Sequence, residues 1–119
     1  MGDKRILLAE NNPLYRQAIA DVLARIKDIE LVDKVGTGWE AVRLSVQLKP
    51  DIVLMDFHLP GLNGLEATRL IKQRLTQVRI VILGEDEIEQ YVDAVKQSGA
   101  CAYLVKSQMA QELPAFVLS

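Results

Sequence analysis

The sequence has little that would suit a secreted or membrane protein. Its 119 residues include one cysteine, which cannot form an internal disulfide and so fits a reducing cytoplasm. No apolar run approaches the roughly 20 residues of a membrane-spanning helix, and no apolar signal core follows the first residues. Ile6 stands where a myristoylation signal needs Ser or Thr. We therefore expect a single cytoplasmic domain over 1–119 that makes no contact with a membrane.

An excess of one charge sign is also absent. Fourteen Lys and Arg residues stand against sixteen Asp and Glu residues, which gives a net charge of −2. A surface this balanced has no general attraction for nucleic acid or anionic lipid. The densest basic stretch is Arg69, Lys72, Arg74 and Arg79. It is spread around a predicted helix end and a loop, so we expect no DNA binding by this chain alone.

What the sequence does contain is an alternation of short apolar runs and longer stretches with helical spacing. Continuous apolar runs are typical of strands in a parallel sheet that is covered on both faces. They occupy 6–9, 52–55, 80–83 and 101–105. A weaker run over 31–35 carries two charges, which suits an edge strand. Cys101 lies in the last run, so we expect it to be buried and inert.

Each apolar run is followed by a predicted helix. Three of these helices begin at residues that commonly cap helices, namely Asn12, Thr37 and Asn63. A strand–helix unit repeated five times, with right-handed crossovers, predicts an α/β, doubly wound fold of three layers. The most uniformly apolar runs suit the centre of the sheet, which favours a five-stranded parallel sheet in the flavodoxin-like order 2-1-3-4-5.

The last two helices carry more specific expectations. A helix over 87–98 is predicted to end at Gly99. Its buried side is predicted to consist of Ile88, Tyr91, Val92 and Val95. A fifth helix from Gln108 to about Leu118 contains Pro114. Since proline removes a backbone hydrogen bond inside a helix, the sequence indicates the second half of this helix less strongly than the first.

Polar side chains follow the predicted strands, at the end of a doubly wound sheet where ligands bind. Glu10 and Asn11 follow the first strand, Asp56 the third and Lys106 the fifth. Taken singly, each is better explained as a turn former, a helix cap or a solvated lysine. Together, two carboxylates and an amide oxygen suit Mg²⁺. Lys106 can pair with Asp56 or with a phosphoryl group attached to it.

Four stretches resemble the receiver domain of two-component response regulators. They are 6–14, 50–56, 59–67 and 99–106, and the resemblance extends from about Lys4 to Leu113. The sequence of 59–67 is most similar to that of receivers attached to helix-turn-helix DNA-binding output domains. The resemblance implies phosphorelay signal transduction, with a sensor histidine kinase or a phosphotransfer protein as the partner. It implies no enzyme, beyond Mg²⁺-dependent self-phosphorylation from a phosphodonor.

The resemblance also implies roles for single residues. Asp56 matches the phosphoacceptor of the family, and Lys106 matches the lysine that contacts the phosphoryl group. Glu10 matches the first residue of the acidic pair that binds Mg²⁺, and His58 the position that binds it through its backbone carbonyl. Tyr103 matches the aromatic residue whose rotation reports phosphorylation.

Two positions depart from the family pattern. Asn11 stands where the family usually has its main metal-binding Asp, and Gly84 where it usually has a Ser or Thr that binds the phosphoryl group. No Ser or Thr occurs from 79 to 97, so no neighbour supplies that hydroxyl. With the Asn11 amide in place of a carboxylate, the metal site has one negative charge fewer than the family pattern. We therefore expect a switch that works but is weakened, with lower affinity for Mg²⁺.

The family reads phosphorylation on the fourth helix, fifth strand and fifth helix, which also form a candidate homodimer face. Candidates for exposed contact residues there are Tyr91, Val95, Tyr103 and Met109.

Two alternatives stay open at this stage. A small-molecule binder of the flavodoxin type shares the fold, but it needs a phosphate cradle rich in small residues after the first strand. This chain has an acidic, proline-containing segment over 9–13 instead. A pseudo-receiver, which acts as a protein interaction module without phosphorylation, is favoured by Asn11 and Gly84. The presence of Asp56 and Lys106 argues against it.

Overall fold

The computed structural model describes residues 2–86 and 90–119. Within them, strands and helices alternate along the chain. The strands are β1 (Lys4–Ala9), β2 (Ile29–Val35), β3 (Ile52–Asp56), β4 (Arg79–Gly84) and β5 (Ala102–Val105). The helices are α1 (Pro13–Ala24), α2 (Gly38–Leu48), α3 (Gly64–Arg74), α4 (Gln90–Ser98) and α5 (Met109–Leu118). A short 3-10 turn, Lys106–Gln108, joins β5 to α5. Among the described helices, none is both long and apolar enough to cross a bilayer.

The five strands pair in parallel in the order β2-β1-β3-β4-β5, which confirms the predicted topology. β2, which carries the charged residues Asp33 and Lys34, lies at one edge as its sequence indicates. In the register of the sheet, Ala9 pairs with Met55 and Asp56 with Leu83. Val105 pairs with Gly84. The carboxyl ends of β1, β3, β4 and β5 therefore meet at one edge of the sheet.

The core has one layer on each face of the sheet, because alternate residues of a strand point to opposite faces. In β1, Leu7 belongs to the cluster beneath α2, α3 and α4, and Leu8 to the cluster beneath α1 and α5. Both leucines are completely buried. The predicted three-layer arrangement is therefore confirmed.

The predicted caps form at the start of three helices. Asn12 accepts hydrogen bonds from two backbone N–H groups of α1, Thr37 from one in α2, and Asn63 from one in α3. These bonds satisfy donors that have no partner within the helix. These short, local contacts define where each of the three helices begins.

The predicted fifth helix is confirmed, and its second half, which the sequence indicated less strongly, continues through Pro114 to Leu118. Leu113 and Val117 flank the proline and are completely buried against the sheet. Proline removes one backbone hydrogen bond, whereas fully burying a side chain of this size contributes about 1.5–3 kcal/mol. Packing on the sheet outweighs the local preference.

Two expectations near α4 were wrong. Val92, predicted on the buried side, is 44% exposed, whereas Val95 is buried and Tyr91 is half-buried. The start of the predicted helix, with Ile88, lies outside the described residues. Cys101 is exposed, because β5 begins one residue after it.

Candidate functional site

Three of the candidate residues meet at the carboxyl edge of the sheet. Glu10 directly follows β1, Asp56 ends β3, and Lys106 begins the turn after β5. The Glu10 N–H donates to the carbonyl of Val35 in β2, which continues the ladder past the end of β1. Glu10 is completely buried, and Asp56 and Lys106 are each 5% exposed. The sheet register thus brings two carboxylates and one ammonium into a buried cluster.

Lys106 is bound by both carboxylates. Its Nζ lies 2.6 Å from Oε1 of Glu10 and 3.2 Å from Oδ1 of Asp56. The sequence suggested Asp56 as a partner for this lysine but not Glu10. Glu is one methylene longer than Asp, and this places its carboxylate within reach of the ammonium. The three groups together carry a formal charge of −1.

Backbone N–H groups orient the two carboxylates. Oε2 of Glu10 accepts a hydrogen bond from the N–H of Asn12 at 3.0 Å. Oδ1 of Asp56 accepts one from the N–H of His58 at 3.3 Å. Within 2–86 and 90–119, no hydrogen bond to Oδ2 of Asp56 is found. One oxygen of a fixed carboxylate is therefore left for reaction with an electrophile.

Burial and charge shift the acid–base properties of the cluster. Burial raises the pKa of the Glu10 carboxyl, and the hydrogen bonds from Lys106 and from the Asn12 backbone offset only part of that rise. Burial by itself would lower the pKa of Lys106. The hydrogen bond to Glu10 and the charge of Asp56 outweigh it, so the pKa of Lys106 is raised. The lysine therefore remains a cation at neutral pH.

The two other candidate metal ligands lie at the rim of this cluster. Asn11 is exposed, and its backbone carbonyl accepts a hydrogen bond from Arg16 at 3.2 Å. The His58 side chain is also exposed, and its ring lies 4.7 Å from that of Phe57. In the described part of the chain, no three His, Cys, Asp or Glu residues form a group that could hold a metal. A metal here would depend on amide and carbonyl oxygens beside the two carboxylates.

Gly84 and Tyr103 are in direct contact. Gly84 ends β4, and the Tyr103 side chain of the neighbouring β5 lies across it so closely that a methyl group at residue 84 would overlap the tyrosine hydroxyl. That hydroxyl donates to the carbonyl of Asp86 at 2.6 Å. Burial raises the pKa of the Tyr103 hydroxyl, and the charge of Asp86 adds to the shift. Tyr103 thus occupies the space that a Ser or Thr side chain at residue 84 would need.

Two residues of α1 that the sequence did not indicate complete the site. The ring of Tyr15 lies 4.4 Å from Nζ of Lys106. The Arg16 side chain donates to the carbonyl of Glu10 at 2.9 Å. The sequence could have indicated them, because both lie in the first turn of the predicted helix that follows Glu10. The first turn of a helix that begins directly after a site residue lies close to that site.

The face formed by α4, β5 and α5 differs from the expectation. Val95 and Met109 are 3% and 7% exposed, so they are core residues and the proposal of an exposed contact was wrong for both. Tyr91 and Tyr103 are half-buried. Among the described residues, Val92 of α4 and Leu118 at the end of α5 are exposed large apolar side chains.

Comparison with known proteins identifies the family. The family model of the response regulator receiver domain matches residues 6–118. The chain belongs to the response regulator receiver family. The receiver domain is 36% identical over 109 residues to the transcriptional regulatory protein LiaR of Bacillus subtilis (strain 168). This match covers 92% of the chain and 52% of LiaR.

Other relatives agree with this assignment. The receiver domain is 30% identical to the nitrate/nitrite response regulator protein NarL of Escherichia coli (strain K12), over 91% of the chain and 50% of that protein. It thus spans about half the length of these relatives. The signal receiver domain of the putative response regulator NarL from Mycobacterium tuberculosis shares the fold, with a TM-score of 0.93. That match has 22% sequence identity and covers 99% of this chain and 95% of the other.

The resemblance read from four stretches of the sequence is therefore confirmed. The receiver domain has the function class of its family, phosphorelay signal transduction. The alternative of a small-molecule binder rested on the fold alone, and the family assignment disfavours it.

Proposed function

We propose that this receiver domain accepts a phosphoryl group on Asp56 from a phosphohistidine of a sensor histidine kinase or a phosphotransfer protein. The observation that carries the proposal is the state of the Asp56 carboxylate. Oδ1 is held by Lys106 and by the N–H of His58, and no hydrogen bond to Oδ2 is found in the described residues. The same observation disfavours a pseudo-receiver, which has no need for a buried lysine beside this aspartate.

The chemistry follows from these contacts. Oδ2 of Asp56 attacks phosphorus, an O–P bond forms, and the P–N bond breaks with its electron pair remaining on the imidazole of the donor. The product is an acyl phosphate. The acyl phosphate carries about −1.5 to −2 charges in place of the single negative charge of the Asp56 carboxylate, so the cluster becomes more negative. Lys106 offsets part of this charge during transfer, since its ammonium lies beside the attacking carboxylate.

The oxygen donors at the site suit Mg²⁺, which prefers carboxylate, carbonyl and amide oxygens. Asp56 and Glu10 would supply carboxylates, Asn11 its amide oxygen and His58 its backbone carbonyl. When bound, Mg²⁺ supplies positive charge that offsets the phosphoryl oxygens. Both Glu10 oxygens already have partners, and Asn11 brings no charge. We therefore expect weaker Mg²⁺ binding than at an all-carboxylate site.

The output of the domain is proposed from its relatives. LiaR is named a transcriptional regulatory protein, so phosphorylation of this receiver would control transcription in the cytoplasm. The face of α4, β5 and α5 would contact an output partner or a second copy of the domain. Tyr103 would report phosphorylation there, since its hydroxyl donates a hydrogen bond to the carbonyl of Asp86, which lies shortly after Gly84.

Intact mass spectrometry tests this function. The purified domain is incubated with acetyl phosphate, with and without Mg²⁺. Wild type should gain one hydroxylamine-sensitive phosphoryl group, and Asp56→Asn should gain none. Asp51→Asn is the matched control, because Asp51 is exposed at the opposite end of β3 and should leave labelling unchanged. Equal labelling of wild type and Asp56→Asn would refute the assignment, and no labelling of wild type would favour the pseudo-receiver.

A further inference from the structure

The ring of Tyr15 faces the lysine of the site. Nζ of Lys106 lies 4.4 Å from the ring centroid, inside the distance of about 6 Å at which a cation is attracted to an aromatic face. The Lys106 side chain is 3% exposed. Since this attraction is largest where water is excluded, the ring acts on the ammonium under favourable conditions.

The position of Tyr15 is fixed by the same short segment that orients Glu10. The N–H of Asn12 donates to Glu10, while the Asn12 side chain accepts hydrogen bonds from the N–H groups of Leu14 and Tyr15 at 2.8 and 3.3 Å. The Arg16 side chain donates to the carbonyl of Glu10. The start of α1 is therefore tied to Glu10 at two points, through Asn12 and Arg16, and the ring has a defined place relative to the carboxylates.

We propose that Tyr15 is a positioning residue that keeps the Lys106 ammonium beside Asp56 through this cation–π contact. The inference rests on the proposed function, because it concerns the lysine that would contact the phosphoryl group. Glu10 and Asp56 form ion pairs with this ammonium, at 2.6 and 3.2 Å. The ring is a third group in contact with the ammonium. Without it, Nζ is held by the carboxylates alone and can move around the closer one, Glu10.

The aromatic face carries this role, and the hydroxyl does not. In the described part of the chain, the Tyr15 hydroxyl makes no hydrogen bond. Phenylalanine keeps an aromatic face at this position, whereas leucine or methionine fills similar space without one. The three variants therefore separate the cation–π contact from simple filling of space.

Phosphorylation kinetics with acetyl phosphate and saturating Mg²⁺ test the proposal. Tyr15→Leu and Tyr15→Met should slow labelling by about tenfold, which lies between the effects of an exposed and of a fully desolvated cation–π contact. Tyr15→Phe should stay within about twofold of wild type, since it keeps the ring. Leu14→Ala is the control in the same helical turn, at a residue that is 82% exposed, and should label like wild type. Wild-type rates for Tyr15→Leu or Tyr15→Met would overturn the proposal, as would Tyr15→Phe as slow as either.

NMR of Lys106 gives a second readout that does not depend on activity. An aromatic face shifts nearby protons upfield, so the Lys106 ε-methylene protons should be shifted in wild type and in Tyr15→Phe. The shift should disappear in Tyr15→Leu and Tyr15→Met. If wild type takes up no phosphoryl group, the proposed function fails. The comparison of Lys106 signals still shows whether the Tyr15 ring contacts the ammonium. A Lys106 signal that is the same in all four proteins would overturn the inference.

Discussion

Lys106 brings the positive charge to a cluster with two buried carboxylates, Glu10 and Asp56. Removing one partner from a buried ion pair leaves uncompensated charge and costs about 3–5 kcal/mol. Lys106→Met should therefore lower the free energy of unfolding, measured in urea at pH 7, by about that amount. Lys27→Met is the control, because Lys27 is exposed, and should change it by less than about 0.5 kcal/mol. Equal losses in the two variants would contradict this account of the cluster.

The same lysine is expected to make the folded domain less stable at alkaline pH. Its pKa in the folded domain is raised above the ordinary value of 10.5, so the fold binds this proton more tightly than the unfolded chain does. The resulting stability is fully present below pH 10.5 and is lost as the pH rises through the raised pKa. The difference in unfolding free energy between wild type and Lys106→Met should therefore narrow above pH 10.5. Urea titrations at a series of pH values measure it, and a difference that stays constant would refute the linkage.

Single residues were predicted unevenly from the sequence. Glu10, Asp56 and Lys106 were found because they follow strands whose ends meet in a doubly wound sheet. The Glu10–Lys106 pair and the Tyr15 contact were not found, because both depend on the reach and direction of side chains. Cys101 was placed wrongly because an apolar run does not reveal the residue at which its strand begins.

At the scale of elements, the loop after β3 is packed too tightly for a side chain at Gly64. A methyl group there would overlap the backbone carbonyl of Asp56, and the Gly64 N–H donates to the carbonyl of Phe57 at 3.0 Å. Gly64→Ala should cost about 1–3 kcal/mol in unfolding free energy and slow phosphorylation, because the backbone at Asp56 must shift. Gly2→Ala is the control, since no atom lies within 4 Å of the added methyl. Equal unfolding free energies of the two variants in urea would show that the loop accommodates the methyl group without loss of stability.

The contact between β4 and β5 leads to another prediction. Gly84→Ala should rotate Tyr103 away and break its hydrogen bond to Asp86, because the added methyl and the tyrosine hydroxyl cannot share one space. NMR signals of the Tyr103 ring should shift strongly, while those of Tyr15 in α1 serve as an internal control and stay in place. Unmoved Tyr103 signals would mean that the two side chains do not compete. Gly84 therefore affects the switch in two ways: it lacks the hydroxyl, and it leaves room for the Tyr103 side chain.

Helices and strands were predictable wherever their signals are local. Asn12, Thr37 and Asn63 act within one turn of their own helices, and the apolar runs alone indicated the strand order. The exceptions were decided by packing between distant parts of the chain. α5 continues through Pro114 because the sheet buries Leu113 and Val117, and no local pattern reports that contact.

For the whole molecule, the balance of charge limits direct contact with nucleic acid. The net charge is −2, and binding to DNA backbones depends on several Lys or Arg contacts with phosphates. The domain alone should therefore not retard duplex DNA in a gel at physiological salt, whether or not it is phosphorylated. A complex whose affinity falls steeply with rising salt would contradict this prediction.

The central claim is that Asp56 itself becomes the acyl phosphate, and reductive trapping tests it most directly. Borohydride reduces an aspartyl phosphate to homoserine, which marks the modified residue permanently for peptide mass spectrometry. After treatment with acetyl phosphate and Mg²⁺, the account predicts homoserine at residue 56 and at no other position, with unmodified aspartate there in untreated protein. Homoserine at Asp51 or another aspartate, or no trapped residue in protein that carries a phosphoryl group, would contradict it.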